Sequence, residues 1–290
     1  MKKFVTFILL MCMVLSLAAC GKVEITMQEI FDANRIEALL NNHQSILIRC
    51  EMDGMFFYEK YLTKEYSYVH YPDEKFNFAQ FMTDDASYAF SNGDYLCYLY
   101  ITPDGVTNDF ASDRADIHAP VLTEDVIGET IESVSKKDGR ITVNSFLGEE
   151  ILAVYVESGV TSGKTEYTLD AKTHELISVI NDYSYNDGTV FQSVTEVAYD
   201  EDAPEMLETF LKYANQTENL RNVTIVMNPG AEKEISQDFR IPKGLIVGFS
   251  WADAFENMVE LYIDAACTEL YDPYVNTDAD LTVYVKWLSE

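Results

Sequence analysis

The sequence predicts an α+β protein that is mostly antiparallel β-sheet, with a helix ahead of the strands. A capping signal at Thr26 opens a stretch of helical periodicity, and from Ser45 this gives way to many short alternating runs. Glycine-containing turn dipeptides separate these runs, and the chain holds 19 Tyr and 16 Phe, which favour strands. With 48% apolar residues, the chain can bury a core, which excludes disorder by composition.

The first 19 residues predict a secretory signal peptide, because two lysines precede an apolar block of about a dozen residues that ends in small residues. The ending Leu17-Ala18-Ala19-Cys20 resembles a bacterial lipobox. This resemblance implies that Cys20 is diacylated and becomes the mature N-terminus. The block is shorter than the about 20 residues of a membrane-spanning helix, while an ordinary cleaved signal stays an alternative. We therefore expect a lipid-anchored protein at the extracytoplasmic face of the cell membrane.

A helix is predicted at about 27–42. Thr26-Met27-Gln28-Glu29 has the form of a capping box, in which Thr26 accepts from the first turn and Glu29 reaches back. Apolar residues then recur at helical spacing as far as Leu40, and Asn41-Asn42 ends the pattern. We expect the apolar stripe to pack on a sheet.

The alternating runs predict strands at 45–52, 55–62, 66–71, 76–82, 87–90, 95–101, 129–135, 140–146, 151–157, 164–169, 176–184 and 190–199. The turn dipeptides between runs accept positive φ and close tight hairpins, which predicts a meander: Asp53-Gly54, Asn92-Gly93, Asp104-Gly105, Asp138-Gly139 and Asp187-Gly188. Residues 108–128 lack this rhythm and predict a long surface loop with a short helix.

The leading helix and the long meander are similar to the LolA-like lipoprotein-carrier fold. Residues 167–179 look like a hairpin of that group, with a Leu-Asp-x-x-Thr turn in which Asp170 accepts from backbone N–H groups two residues on. The resemblance covers about 27–200. It implies a sheet curved into a half-barrel, whose concave face holds acyl chains.

The sequence also predicts a boundary in the second half of the chain. Pro204 and the apolar face of 205–214 indicate a helix, and the polar run that follows predicts a linker at 215–221. The expected organisation is a signal peptide at 1–19, a helix-and-meander domain at 20–214, the linker, and a last domain at 222–290.

The last segment resembles an internalin-type B-repeat. Three features carry this resemblance: the Val-Thr strand that begins at Val223, the Tyr-x-Asp-Ala-Ala segment at Tyr262, and the closing residues Asp280 to Trp287. The family's Gly-Gly turn, Gly-Trp pair and Gly-Tyr-x-Phe lead-in are altered here. The resemblance implies a small β-grasp-like module, and the alternation of Leu281, Val283 and Val285 independently predicts a half-buried final strand.

The charge restricts the partners. The chain has 49 acidic and 20 basic residues, with a net charge of −29. Such a surface repels nucleic acid, so we expect no nucleic-acid partner. The expected partners are the membrane, through the lipid on Cys20, and a surface protein, a glycan or a hydrophobic ligand.

Three cysteines remain after Cys12 and Cys20 are set aside: Cys50, Cys97 and Cys267. An odd, widely spaced set argues against a disulfide framework. A Cys50–Cys97 bridge is one possibility, and buried free thiols are the other and the favoured one.

No catalytic or metal-binding motif stands out, so we expect no enzyme, cofactor or metal. The four histidines (His43, His70, His118 and His174) have no ligand spacing. Asp182 to Gly188 looks like a calcium loop, but its glycine falls one place late and Ser193 occupies the position of the closing glutamate, which favours a hairpin turn.

Dense tyrosines are the remaining candidate for a site. They either bind a glycan, peptide or lipid or pack the sheet, and packing is the favoured interpretation: Tyr58, Tyr61, Tyr66, Tyr68, Tyr71, Tyr88, Tyr95, Tyr98 and Tyr100. The predicted function is a non-catalytic binding role at the cell surface. The alternative is a carrier or sensor of a hydrophobic ligand in the half-barrel, and a hydrolase is the remote third.

Overall fold

The computed structural model describes residues 24–72, 77–91, 93–102, 104–107, 109–111, 114, 117, 121–149, 152–153, 158–251, 259–274 and 278–288. The predicted signal peptide and Cys20 lie outside these residues. Within them, no helix combines the length and apolar character needed to cross a membrane. The described residues form two compact units, the first from Met1–Arg35 and Leu122–Gln192 and the second from Ile36–Val121 and Ser193–Glu290.

The first unit consists of a helix, a 3₁₀ turn and antiparallel strands. Helix α1 contacts the 3₁₀ helix, and the strands follow the order β11-β10-β9-β8. The bounds are α1 Met27–Ala33, the 3₁₀ helix Glu124–Gly128, β8 Thr130–Lys137, β9 Arg140–Phe146, β10 Val160–Asp170 and β11 Leu176–Tyr185.

The capping box is confirmed, but the prediction of one helix over 27–42 is wrong. Glu29 N donates to Thr26 Oγ1 at 3.2 Å, and Thr26 N donates to the Glu29 carboxylate at 2.8 Å. The first helix ends at Ala33, and the side-chain amide of its C-cap residue, Asn34, donates to Ile30 O at 2.8 Å and competes with the next helical turn. A second helix, α2, follows at Ile36–Asn42.

Asp170 shapes the β10–β11 turn as predicted. Its Oδ1 accepts from Lys172 N at 2.8 Å and from Thr173 N at 3.0 Å. These hydrogen bonds, together with His174 N donating to Asp170 O at 3.0 Å, close the hairpin.

The second unit contains a sheet of order β12-β1-β2-β3-β4-β5-β6-β15, with β7 also paired to β6. All these pairings are antiparallel except β15 with β6, which is parallel. The bounds are β1 Ile46–Met52, β2 Met55–Leu62, β3 Ser67–Pro72, β4 Asn77–Met82, β5 Ser87–Ser91, β6 Asp94–Thr102, β7 Gly105–Thr107, β12 Val190–Tyr199 and β15 Ile246–Trp251.

A smaller mixed sheet completes the second unit, in the order β14-β13-β17-β16. Its central pair, β13 with β17, is parallel, and the two outer pairings are antiparallel. The predicted final strand is confirmed as β17, where Val283 and Val285 are fully buried. The bounds are α3 Glu205–Ala214, β13 Leu220–Met227, β14 Ile235–Pro242, β16 Val259–Tyr262 and β17 Leu281–Trp287.

One row of side chains crosses the eight strands of the larger sheet that follow the order β12-β1-β2-β3-β4-β5-β6-β15. Because directly paired residues share a face, the register places them side by side: Ala198, Leu47, Tyr61, Tyr68, Phe81, Tyr88, Cys97 and Val247. Phe210 of α3 lies on this row, with its ring centroid 6.0 Å from that of Phe81 and 6.1 Å from that of Tyr68. This face of the sheet is therefore the core of the second unit.

Strands from the last third of the chain belong to the same core. Val223, Ile225, Val283 and Val285 are fully buried in the hydrophobic cluster that also contains Phe81. The predicted boundary at 215–221 and the domains at 20–214 and 222–290 stay a prediction.

The predicted strands agree with the structure over most of the described chain, and 55–62, 140–146 and 190–199 match to the residue. One strand prediction is wrong. Leu152 and Ala153, within the predicted strand at 151–157, are helical, and Leu152 N donates to Gly148 O at 2.9 Å. The rest of that run lies outside the described residues.

Cys50 and Cys97 are buried free thiols, and Cys267 is also free but only half-buried. Strand alternation places Cys97 on the face that carries Leu47 and Tyr61, and Cys50 on the opposite face. A bridge between them is excluded because the sheet itself separates the two thiols.

Candidate functional site

An aromatic cluster lies at the start of β2 in the second unit. It consists of Phe57, Tyr58 and Tyr71, and the three ring centroids are 5.6 to 5.9 Å apart. Phe57 is 43% exposed and the two tyrosines are half-buried. We call these three residues the aromatic cluster.

The cluster exists because β2 is irregular at this point. Cys50 pairs with Tyr58 and Glu51 pairs with Phe56, so Phe57 is an extra residue in a β-bulge. A bulge bends its strand and redirects a side chain that regular alternation would place elsewhere. The Phe57 ring consequently contacts Tyr58, its neighbour in sequence, and Tyr71 on β3.

Two further apolar side chains extend the surface toward the β1–β2 turn. Met55 is 71% exposed and Phe56 is 43% exposed. The turn is the predicted Asp53-Gly54 pair, with φ of 49° and 75°. Three consecutive exposed apolar residues at one hairpin end are more than the scattered single exposures that ordinary surfaces carry.

Lys60 lies beside the aromatic cluster, two residues after Tyr58 on the same face of β2. Its Nζ is 5.5 Å from the centroid of the Tyr58 ring, within cation–π range. Burial lowers the pKa of Lys60, because it disfavours the charged form. The site thus combines exposed aromatic surface with a half-buried cation.

The structure places five of the nine predicted tyrosines in two groups. Tyr61, Tyr68 and Tyr88 are buried in the row that crosses the sheet, which confirms packing for them. Tyr58 and Tyr71 belong to the exposed cluster instead. Alternation alone places Tyr58 on the face opposite to that of Tyr61, and Tyr71 on the face opposite to that of Tyr68, but it does not say which of the two faces is covered.

A separate, polar cavity of about 740 Å³ is lined in the second unit by the end of α2, the β2–β3 turn and residues 200–203. His43 Nδ1 lies 2.9 Å from Asp200 Oδ2, and Gln44 N donates to Asp200 Oδ1 at 2.7 Å. These hydrogen bonds lower the pKa of Asp200, that from His43 most. The His43 ring also stacks on Tyr199, at 4.4 Å between centroids.

The first unit holds a half-buried carboxylate, Glu129. Tyr167 OH donates to Glu129 Oε2 at 2.9 Å, Thr165 Oγ1 approaches Oε1 at 3.5 Å, and Ser145 Oγ also donates to Oε2. Burial raises the pKa of Glu129 and outweighs these three hydroxyls, which lower it. No histidine takes part in these contacts.

The remaining predicted candidates fall in turns and strand ends. His70 Nε2 lies 2.9 Å from Asn77 Oδ1, and His174 adopts a positive φ of 60° in the β10–β11 turn. The calcium-like run is a hairpin turn, as predicted, in which Asp187 Oδ1 accepts from Thr189 N at 2.9 Å. Across the residues that the structure describes, no three potential ligands come together as a metal site. His118 and Cys20 lie outside those residues.

Solved structures similar to this chain include LppX, NE2245 and MucB. LppX, a Mycobacterium tuberculosis lipoprotein, is 8% identical with a TM-score of 0.36, covering 61% of this chain and 97% of its own. NE2245, a LolA superfamily protein from Nitrosomonas europaea, is 14% identical with a TM-score of 0.25, covering 63% of this chain and 97% of its own.

The third is MucB in its complex with MucA from Pseudomonas aeruginosa, 11% identical with a TM-score of 0.25, covering 72% of this chain and 74% of that one. No family model and no curated protein matches the chain. Nothing in these comparisons supports the B-repeat resemblance. LolA-superfamily and lipoprotein structures are thus among those this chain is similar to, at TM-scores too low to indicate what it binds.

Proposed function

We propose that this chain is a non-catalytic binding protein for a hydrophobic ligand, held at the cell membrane by a lipid on Cys20. The observation that carries the ligand class is the aromatic cluster with Met55 and Phe56 beside it. Fully burying one such side chain is worth about 1.5–3 kcal/mol. A ligand that covers several of these side chains therefore gains enough free energy from apolar burial to bind.

The ligand site of this proposal is the cluster and not the sheet face that carries Tyr68 and Phe81. In the second unit, that face is already filled by Phe210 and Leu207 of α3, both fully buried. For a ligand to bind on this face, as in the half-barrel that the LolA-like resemblance implies, helix α3 would first have to move away. The aromatic cluster needs no such movement, since Phe57 is exposed and the two tyrosines are only half-buried in the structure as it stands.

A second role is proposed for the last strands, as a contact module of the B-repeat type. What supports it is the mixed four-stranded sheet with its parallel β13–β17 pair, an arrangement compatible with a β-grasp-like module. Because the turn at Asn228-Pro229-Gly230 differs from the family's Gly-Gly turn, we do not extend the family's binding surface to this chain.

Fluorescence of N-phenyl-1-naphthylamine, which brightens on entering an apolar site, tests the ligand class. We expect saturable binding by the protein without its lipid, and a loss of about tenfold or more in the double variant Phe57→Ala/Tyr71→Ala, since each ring contributes more than 1 kcal/mol. Tyr274→Ala is the matched control, because Tyr274 is an exposed aromatic of the same unit, at 68%. Equal binding by all three proteins would refute the site.

The membrane anchor has its own test. Cells that express the full chain are labelled with a fatty acid and fractionated, in parallel with the Cys20→Ala variant. We expect label on the parent chain only and loss of the variant from the membrane fraction. An unlabelled parent chain, or a variant that stays in the membrane fraction, would contradict the anchor.

A further inference from the structure

Lys60 is a cation without a carboxylate partner in a strongly acidic chain. Within the described part of the chain, no carboxylate lies within ion-pair distance of its Nζ, whereas Arg49 lies 3.3 Å from Glu59 and Arg114 lies 2.7 Å from Asp84. With 49 acidic against 20 basic residues, partners for a lysine are plentiful. The other lysines in the described part of the chain also lack an ion pair, but most of them are exposed to water, whereas Lys60 is half-buried.

The strand geometry explains the isolation. Glu59, the acidic neighbour in sequence, points to the other face of β2 because side chains alternate along a strand. On the face of Lys60, the paired residues are Ile48 on β1, Val69 on β3 and, one strand further, Gln80 on β4. None of these three carries a charge.

The position of Lys60 is unfavourable for a charge by itself. The side chain is half-buried, and burial is the cause of its lowered pKa. A buried or half-buried charge is stabilised when a counter-ion reaches it. An anionic group on the ligand would supply the counter-ion for Lys60 that the chain itself does not provide.

The apolar surface lies directly beside this charge. Lys60 Nζ is 5.5 Å from the Tyr58 ring centroid, and Tyr58 contacts both Phe57 and Tyr71. A ligand that satisfies both parts must have an anionic end and an apolar end. Simple hydrocarbons and neutral lipids satisfy only the second part.

We propose that the ligand is a single-chain amphiphile whose anionic headgroup, a carboxylate or a phosphate, pairs with Lys60 while its acyl chain covers the aromatic cluster. This inference rests on the proposed function and narrows it to one class of ligand. Lys60 acts as the specificity-determining residue. The rings of Phe57, Tyr58 and Tyr71 provide the apolar contact.

The test compares three ligands of one chain length with different headgroups: dodecanoate, dodecyl phosphate and 1-dodecanol. Each ligand displaces N-phenyl-1-naphthylamine from the protein, and each is kept below the concentration at which it forms micelles or separates from solution. We expect the parent protein to bind at least one of the two anions about tenfold more tightly than the alcohol, the size of one charge-assisted contact. The better anion identifies whether the head is a carboxylate or a phosphate.

Variants then separate the charge from the rings. Lys60→Met keeps the length of the side chain and should bind anion and alcohol equally, while Lys60→Arg should keep the preference. Phe57→Ala/Tyr71→Ala should weaken all three ligands together. Circular dichroism and the melting temperature of each variant confirm that it is folded.

The outcomes distinguish this inference from the proposed function. If the alcohol binds the parent protein as tightly as both anions, or if Lys60→Met keeps the preference, the inference is overturned and the hydrophobic-ligand function stands. If neither the anions nor the alcohol displace the dye, the proposed function falls as well.

Discussion

The side-chain amide of Gln237 pairs with the backbone of Val106 as a neighbouring strand would. Val106 N donates to Gln237 Oε1 at 2.6 Å, and Gln237 Nε2 donates to Val106 O at 2.9 Å. Both groups belong to the second unit, where Gln237 lies on β14 and Val106 on β7. One side chain thus satisfies a backbone donor and acceptor that β7 would otherwise leave open.

Gln237→Ala should therefore destabilise the protein by about 1–3 kcal/mol, the cost of leaving half-buried backbone groups unpaired. Gln237→Glu is the matched variant: it can still accept from Val106 N but places a carboxylate against Val106 O. Urea denaturation should give the parent protein a higher free energy of unfolding than either variant. An Ala variant as stable as the parent would show that water replaces the amide without cost.

Asn34 should be equally sensitive in the first unit. It is 2% exposed, accepts from Leu176 N at 2.7 Å and donates to His174 O at 3.1 Å, which ties the end of α1 to the β10–β11 hairpin. We expect Asn34→Ala to lower the unfolding free energy by about 1–3 kcal/mol and to expose the Leu176 amide to hydrogen exchange.

Asn34→Asp is the control, since it keeps the acceptor for Leu176 N and loses only the donor. Faster exchange at Leu176 is expected in the Ala variant but not in the Asp variant. Identical protection in both would mean that the neighbouring strand bonds alone hold the hairpin.

Glu129 should make stability fall as the pH rises. Its pKa is raised in the folded state from an ordinary value of 4.5, so the folded chain holds a proton that the unfolded chain releases. Stabilisation by this proton is complete below pH 4.5 and is lost as the pH rises through the folded pKa, by at most about 1.4 kcal/mol per pH unit.

Denaturation of the parent protein and Glu129→Gln across this range measures the effect. The Gln variant can still accept hydrogen bonds from Ser145 and Tyr167 but does not lose a proton. We therefore expect its unfolding free energy to rise relative to that of the parent protein as the pH rises above 4.5. Glu132→Gln, at an exposed position of β8, is the control. A constant difference between parent and Glu129→Gln at all pH values would contradict the prediction.

A chain that stops before Leu220 should not fold the second unit. It would lack β15, which pairs with β6, and it would lack Val223, Ile225, Val283 and Val285 from the shared core. We expect such a truncation to be insoluble or to bind hydrophobic dyes strongly, without a cooperative thermal transition. A sharp transition would instead support the predicted independent domains on either side of 215–221.

Local signals predicted most of the secondary structure. The capping box at Thr26, the Asx turn at Asp170 and the Asp-Gly hairpins each depend on a few adjacent residues, and all were found. The break at Asn34 was missed because two of the three groups that hold its side chain in place, His174 O and Leu176 N, lie some 140 positions away in the chain. The helical Leu152 and Ala153 were missed because an apolar run of that length suits a strand or a helix.

The candidate site escaped sequence analysis for a similar reason. Tyr58 and Tyr71 were among the predicted tyrosines, but Lys60 was not singled out, because an isolated lysine in a strand looks like any surface charge. Its lack of a partner emerges only from the register with Ile48 and Val69. The bulge at Phe57 is likewise visible only once β1 and β2 are paired.

The parallel pairing of β15 with β6 also dictates when the second unit can form. The strand that covers the β6 edge begins at Ile246, about 150 residues after β6 begins, so this edge stays open until most of the chain has been synthesised. An uncovered edge on an aromatic-rich strand such as β6 is prone to pairing with strands of other chains. Newly made molecules should therefore depend on dilution or on a holding chaperone until their last strands are available to pair.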